Sequence, residues 1–144
     1  MQLFSHDAKA DALSRAPLFR NLSRSDLVEL AKVTEDLEVE EGKVLAREGD
    51  IGREFFVIVD GEVDVMKDGK TVRRLSSGDF FGEIALVWES PRRTATVVAA
   101  TPVRLFVLTR QAFRGLIDRH PDIEGKVLEE IEARVGATEA AETG

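Results

Sequence analysis

The sequence predicts a mainly β fold with helices at both ends, in the form of a β jelly-roll (double-stranded β-helix) barrel. Two observations lead to this fold class. Apolar residues recur with helical spacing before residue 36 and after residue 109, and with the two-residue spacing of strands between them. Glycine-containing turns divide that central part, roughly every 6–12 residues, into about eight short apolar runs, a pattern typical of sandwiches and barrels.

The N-terminal segment is predicted to form two helices. Apolar positions over residues 8–16 have helical spacing, and Pro17 ends this first helix. Ser23 is followed three residues later by Asp26, which resembles a capping box, where each side chain accepts a hydrogen bond from the other residue's backbone N–H. We therefore expect a second helix to begin there and to continue through Val33.

The predicted strands follow one another between turns. Asp68-Gly69 is a strong turn signal, because this dipeptide favours a two-residue hairpin. Residues 55–59 are apolar without interruption, which is typical of a strand buried on both faces. The other apolar runs cover residues 37–39, 44–45, 63–65, 72–75, 94–99 and 103–108.

Two further helices are predicted after the strands. Thr109 can cap the first of them, His120 lies at its end, and Pro121 is well placed as the first residue of the next helix. Gly136 is expected to end this last helix, and residues 137–144 are expected to form a disordered acidic tail. The predicted boundaries are residues 1–136 for a single domain, about 36–109 for its β core and about 109–135 for its C-terminal helices.

Composition argues against most kinds of catalytic and metal site. The 144 residues include 20 basic and 27 acidic side chains, and the net charge of −7 disfavours nucleic acid and anionic membranes as partners. The chain has no cysteine, and His6 and His120 lie near opposite ends, which leaves thiolate nucleophiles and multi-histidine metal centres without the residues they need. No apolar run approaches the ~20 residues of a membrane span, so we expect a cytoplasmic protein.

Two functions that share this architecture are also disfavoured. A cupin-type dioxygenase needs histidines in the barrel, and residues 36–109 contain none. A complete DNA-binding activator needs a helix-turn-helix after the last predicted helix, and nine residues follow Val135. We therefore expect no enzyme activity, no catalytic residue and no bound metal.

One irregular segment interrupts the strands between Gly78 and Val97. A helix-like stretch, Glu83–Val87, begins directly after Gly82, and free amides at a helix start form an anion site. Arg93 follows ten residues after Glu83, a spacing that allows its guanidinium to face the same amides. Because the carboxylate of Glu83 would repel a phosphate, the ligand should offer it a hydroxyl. A phosphate fused to a sugar, in a compact nucleotide, meets both demands.

The same segment resembles a known sequence motif. Phe-Gly-Glu-Ile-Ala-Leu at 81–86, followed by Arg-Thr-Ala-Thr-Val at 93–97, is similar to the phosphate-binding cassette of the cyclic nucleotide-binding domain family. This family includes regulatory subunits of cyclic-AMP-dependent kinase, cyclic-nucleotide-gated channels and catabolite activator proteins. The resemblance covers about residues 16–135. It includes the family's order of segments at residues 48–50, 52, 55–58, 61–63 and 78–81.

The resemblance implies a role for each cassette residue. Backbone amides of Gly82, Ile84 and Ala85 would face the cyclic phosphate, and Glu83 would accept a hydrogen bond from the ribose 2′-hydroxyl. Arg93 would pair with the phosphate. The full set of expected ligand-binding residues is Phe81, Gly82, Glu83, Ile84, Ala85, Arg93, Thr94 and Ala95, with Thr94 adding a hydroxyl bond.

The resemblance also implies a lid over the base. In the family the final helix caps the base, and the candidates here are Ile131, Arg134 and Val135, with Arg134 stacking on the purine. Two residues depart from the family pattern. Arg92 is assigned to the surface by the Arg-Thr-Ala-Thr-Val register, and Trp88 lies in the cassette loop.

The predicted function is that of a sensor that binds a 3′,5′-cyclic nucleotide and moves its C-terminal helices. Cyclic AMP is favoured, with cyclic GMP left open, and no cofactor is expected. The alternative is a degenerate domain that acts as an interaction module, although such members usually lack Glu83 or Arg93 and both are present. The effector protein or fused domain is not specified, and apolar surface at Val127–Val135 could support a homodimer. The initial Met1 and acidic tail favour a free-standing protein.

Overall fold

Two helices and a short 3₁₀ turn precede the strands in the computed structural model. It describes residues 5–86 and 92–143, with the backbone alone described at residues 83, 84, 131 and 134–143. The elements are α1 (His6–Ser14), the 3₁₀ turn Pro17–Phe19 and α2 (Arg24–Lys32). The predicted capping box is confirmed, because Ser23 and Asp26 each accept a hydrogen bond from the other's backbone N–H at the start of α2.

Eight short strands form two four-stranded antiparallel sheets within the described residues, which confirms the predicted mainly β fold. The strand Phe80–Phe81 is not among the predicted apolar runs. One sheet has the order β1-β8-β3-β6 and the other the order β2-β7-β4-β5. The Asp68-Gly69 hairpin is confirmed between β4 and β5. The strands are β1 (Glu35–Val39), β2 (Val44–Ala46), β3 (Glu54–Asp60), β4 (Val63–Lys67), β5 (Lys70–Leu75), β6 (Phe80–Phe81), β7 (Thr96–Ala99) and β8 (Val103–Thr109).

Two apolar clusters explain why β3 is apolar on both faces. Phe56 and Ile58 point between the two sheets, where side chains of β4, β7 and β8 complete the jelly-roll core. Phe55 and Val57 point the other way and pack against the helices. Because both faces of β3 are buried, successive residues along it can all be apolar, whereas a strand with one solvent-exposed face would alternate apolar and polar residues.

Two helices follow the strands and return to the N-terminal ones. They are α3 (Arg110–Arg119), capped by Thr109 as predicted, and α4 (Pro121–Thr143), which begins at Pro121 as predicted. The prediction that Gly136 ends the last helix is wrong, because the backbone of residues 137–143 continues α4. Ala and Glu dominate this stretch and favour helix, whereas one interior glycine costs only about 1 kcal/mol. Among the described residues, no helix is long and apolar enough to cross a membrane.

Candidate functional site

The glycine that opens the irregular segment has the backbone conformation that the segment requires. Gly82 directly follows β6 and has φ +83°, a left-handed value that side chains with a Cβ rarely adopt. A 3₁₀ turn, Glu83–Leu86, begins at the next residue and corresponds to the predicted helix-like stretch, whose last residue, Val87, lies outside the described residues. The first N–H groups of such a turn have no carbonyl partner within it.

Aromatic packing fixes the strand that leads into this turn. Phe81 pairs with Phe56 of β3, and their rings stack with centroids 4.6 Å apart. Phe80 points to the opposite face and contacts Phe55, with ring centroids 6.0 Å apart. Phe81 therefore anchors Gly82 to the jelly-roll core.

Arg93 is the charged group that the fold brings to Gly82. Its Nη2 donates a hydrogen bond to the backbone carbonyl of Glu54 at 2.9 Å. A Cβ built on Gly82 would lie 2.5 Å from Nη1 of Arg93, and one built on Gly52 would lie 2.7 Å from its Nε and Cζ. The guanidinium therefore fits into a slot whose two walls, at Gly52 and Gly82, have no room for a side chain.

The backbone around Arg93 is anchored to the turn that follows β2. Arg93 N–H donates to the carbonyl of Asp50 at 2.7 Å, and the carbonyl of Arg93 accepts from Gly49 N–H at 2.8 Å. Arg92 lies on the outside of the same turn, where its exposed guanidinium donates to the carbonyl of Gly49 at 2.9 Å. Two adjacent arginines therefore have different environments, and Arg93 is the one directed to Gly82.

The half-buried environment of Arg93 affects the pKa of its guanidinium. Burial lowers the pKa of its guanidinium from the ordinary value, and the negative charge of Glu54 acts in the opposite direction. A guanidinium has five N–H donors, and the bond to the Glu54 carbonyl employs one of them. An anion that reached this slot would gain charge-assisted hydrogen bonds from a cation already positioned by the fold.

The remaining expected site residues lie in differing surroundings. Thr94 is exposed and Ala95 half-buried, in a bend before β7, so the prediction of a strand from Thr94 is wrong by two residues. Ala85 is buried, and its N–H donates to the carbonyl of Gly82 at 3.1 Å. The amide that the resemblance directs to a phosphate is therefore engaged within the turn.

Several expected residues cannot be placed through their side chains. Those of Glu83, Ile84, Ile131, Arg134 and Val135 lie outside the described part of the structure, as does the whole of Trp88. The 2′-hydroxyl role of Glu83 and the base lid on α4 therefore stay predictions.

A cavity of about 530 Å³ reaches Arg93 from the side of β2. Its volume falls within the range of about 300–1,000 Å³ that is usual for ligand pockets. The described lining residues are Val44, Leu45, Ala46, Arg47, Asp50, Ile51, Arg53, Glu54, Arg92 and Arg93.

Two residues of this arrangement are absent from the expected site. Gly52 clears the space for Arg93, and the carbonyl of Glu54 orients it. The sequence does contain a signal for Gly52. The short connection between β2 and β3 already has Gly49 for its turn, so a second glycine three residues later suggests a steric role. The Glu54 contribution comes from the backbone and leaves no signal in the sequence.

Known proteins resemble this chain across most of its length. The sequence model of the family described as "Cyclic nucleotide-binding domain" matches residues 36–120. A cAMP-dependent protein kinase regulatory subunit from Eremothecium gossypii is 40% identical over 108 residues, which are 74% of this chain and 23% of that protein. The chain spans less than a third of the length of the curated relatives it first matches.

Two solved structures share the fold. The N-terminal domain of a transcriptional regulator from Streptomyces coelicolor A3(2) superposes with a TM-score of 0.81 at 27% identity, covering 91% of this chain and 94% of that one. The cAMP-bound form of PfPKA-R superposes with a TM-score of 0.67 at 26% identity, covering 88% of this chain and 47% of that one.

Proposed function

The chain belongs to the cyclic nucleotide-binding domain family, and we propose that it binds a 3′,5′-cyclic nucleotide, with cyclic AMP as the preferred ligand, at the cassette of residues 81–86 and 93–95. The single observation that carries this site is the guanidinium of Arg93, held between Gly52 and Gly82 at the start of a 3₁₀ turn. Domains of this family are regulatory, and we propose that this one senses its ligand without transforming it.

Each cassette group would contribute a different contact. Arg93 pairs with the phosphate, the exposed hydroxyl of Thr94 adds a hydrogen bond, and Glu83 accepts from the ribose hydroxyl. The Ala85 amide can join them only if it exchanges its bond to the Gly82 carbonyl for one to the ligand. Ligand binding would then reshape the turn after Gly82, which gives the nucleotide a means of changing the conformation of the domain.

Two of the relatives support the preference for cyclic AMP. The regulatory subunit from Eremothecium gossypii is named as cAMP-dependent, and PfPKA-R was solved with cAMP bound. The test is thermal unfolding with cyclic AMP, cyclic GMP or 5′-AMP in excess. We expect cyclic AMP to raise the Tm by several degrees and cyclic GMP to raise it less. The acyclic nucleotide should have no effect. Absence of a shift with either cyclic nucleotide would support the interaction-module alternative instead.

Movement of the C-terminal helices is the proposed output, and in this structure α4 is fastened to the N-terminal helices. Ile123 and Val127 are fully buried in the helical cluster. Lys126 Nζ lies 3.0 Å from Asp26 Oδ2 on α2. Burial alone would raise the pKa of Asp26, but hydrogen bonds from Lys126 and Ser23 outweigh it and lower that pKa. Release of this contact would free α4 to approach the ligand as the predicted lid.

Replacing Lys126 with methionine should tighten cyclic AMP binding a few-fold. The substitution keeps the apolar stem of the side chain but removes its hydrogen bond to Asp26. It therefore destabilises the state in which α4 packs against α2, relative to a ligand-bound state in which α4 has moved. Titration calorimetry measures the change. Lys32→Met is the matched control, because Lys32 pairs with Glu29 inside α2, and among the described residues no hydrogen bond or ion pair joins it to α4. Equal affinities for wild type and Lys126→Met would contradict movement of α4 away from α2.

Replacing Gly52 with alanine should weaken cyclic AMP binding while the fold is retained. The new Cβ would meet the guanidinium of Arg93, which is the flexible end of its side chain and can move away. We expect the Kd to rise by up to about tenfold, the effect of one charged hydrogen bond, with little change in Tm. Gly115→Ala is the control, since the one described atom that its Cβ would meet within 4 Å is Arg119 Nη1, at 3.9 Å. If Gly52→Ala binds like the wild type, Gly52 does not position Arg93.

A further inference from the structure

A second cavity, of about 650 Å³, opens beside Gly52 and lies outside the cassette. Part of its wall is formed by Ile51, Arg53 and Glu54, and the rest by the first turns of α3. We call the set Ile51, Arg53, Arg110 and Arg114 the arginine groove. Arg110 and Arg114 line only this cavity, whereas Ile51 and Arg53 also line the cavity at Arg93.

The fold draws the three arginines together from separate segments. Glu54 and Thr109 are partners across β3 and β8, and just beyond them Arg110 N–H donates to the carbonyl of Arg53 at 2.8 Å. Arg110 and Arg114 are four residues apart on α3, so they share one face of that helix.

The charge of the groove is opposite to that of the chain. Three arginines and one carboxylate, Glu54, line this cavity, whereas the whole chain has a net charge of −7. The cavity at Arg93 shares Ile51, Arg53 and Glu54, which makes the positive surface continuous on that side of the fold. Such a local reversal of sign attracts an acidic partner that the rest of the surface repels.

The shape and composition of the groove favour a peptide. Guanidinium groups bind carboxylates through paired hydrogen bonds, and Ile51, which is 39% exposed, offers an apolar contact among them. Of the described residues that line the groove, none is aromatic and none is lysine, so the stacking platforms typical of single-stranded nucleic-acid sites are missing from it.

We propose that the arginine groove binds an acidic polypeptide segment of another protein, with its carboxylates on Arg53, Arg110 and Arg114 and an apolar side chain on Ile51. The proposal does not rest on the nucleotide assignment, because Arg110 and Arg114 do not line the cavity at Arg93, although Ile51 and Arg53 line both cavities. It would give the domain a docking site for an effector next to the ligand cassette.

Fluorescence anisotropy with a labelled short peptide, in which glutamates flank a leucine, tests the proposal on the full chain. We expect saturable binding that weakens as salt is added. Arg53→Gln/Arg114→Gln should reduce the affinity at least about tenfold, since it removes two charged contacts. The matched control Arg15→Gln/Arg73→Gln removes the same charge from two exposed positions outside the groove and should bind like the wild type. Unchanged Tm values show that all variants are folded.

Four results would overturn the proposal. The first is failure of the wild type to bind the glutamate peptide at low salt, and the second is equal loss of affinity in the groove and control variants. The third is stronger binding of a single-stranded oligonucleotide than of the peptide, which would identify a general polyanion site. The fourth is self-association in sedimentation velocity that the groove variant abolishes, which would make a second copy of this chain the occupant.

Discussion

Replacing Arg93 with alanine is expected to weaken cyclic AMP binding by at least about tenfold, while the fold is retained. A hydrogen bond between charged groups contributes about 1.5–3 kcal/mol, and each 1.4 kcal/mol corresponds to a factor of ten in Kd. The fold should survive, because Arg93 is half-buried and its described side-chain bond is to a backbone carbonyl, that of Glu54. Titration calorimetry gives the Kd, and thermal unfolding gives the Tm.

The neighbouring arginine supplies the control for this experiment. Arg92→Ala removes the same charge one residue earlier, and its side chain is exposed and bonded to the carbonyl of Gly49 on the outside of the turn. We expect Arg92→Ala to keep nearly the full affinity. Equal losses in the two variants would mean that the site responds to overall positive charge, and wild-type affinity in Arg93→Ala would overturn the assignment of the phosphate to Arg93.

The parts of the fold that the sequence predicts correctly are those with short-range chemical causes. Ser23 and Asp26 cap α2, Thr109 caps α3, and Pro121 starts α4, because each of these effects acts within one helical turn. The end of α4 is different. Gly136 is a weak stop signal, and the alanines and glutamates after it favour continuation of the helix.

The site was predictable to the extent that its residues lie in one stretch of chain. Gly82 and Arg93 are eleven residues apart, and the cassette resemblance names both. Gly52 and the carbonyl of Glu54 act on Arg93 from about forty residues away, through contacts that exist only once β3 and the turn before it have packed. Such contacts depend on tertiary geometry, so the sequence can at most draw attention to Gly52 as a second glycine in a short connection, and it gives no sign of the Glu54 carbonyl.

The last prediction concerns Gly82, where alanine should both destabilise the fold and abolish tight nucleotide binding. A left-handed backbone costs a residue with a Cβ about 1–2 kcal/mol. The new Cβ would also lie 2.6 Å from the Glu54 carbonyl and 2.5 Å from Nη1 of Arg93, and overpacking of this kind adds about 1–3 kcal/mol. We therefore expect a loss of about 2–5 kcal/mol in the free energy of unfolding. Denaturant unfolding measures this loss.

Gly78→Ala separates the two contributions. Gly78 has φ +93°, and a Cβ built on it would meet no atom of the described residues within 4 Å, so its substitution introduces the backbone strain without the collision. Gly82→Ala should therefore lose more stability than Gly78→Ala, and it alone should weaken cyclic AMP binding at least about tenfold. Equal stability losses with unchanged affinity would show that Gly82 serves only as a turn. The predicted difference in affinity between the two variants arises because the Glu54 carbonyl and the Arg93 guanidinium occupy the space that a Cβ at residue 82 would need.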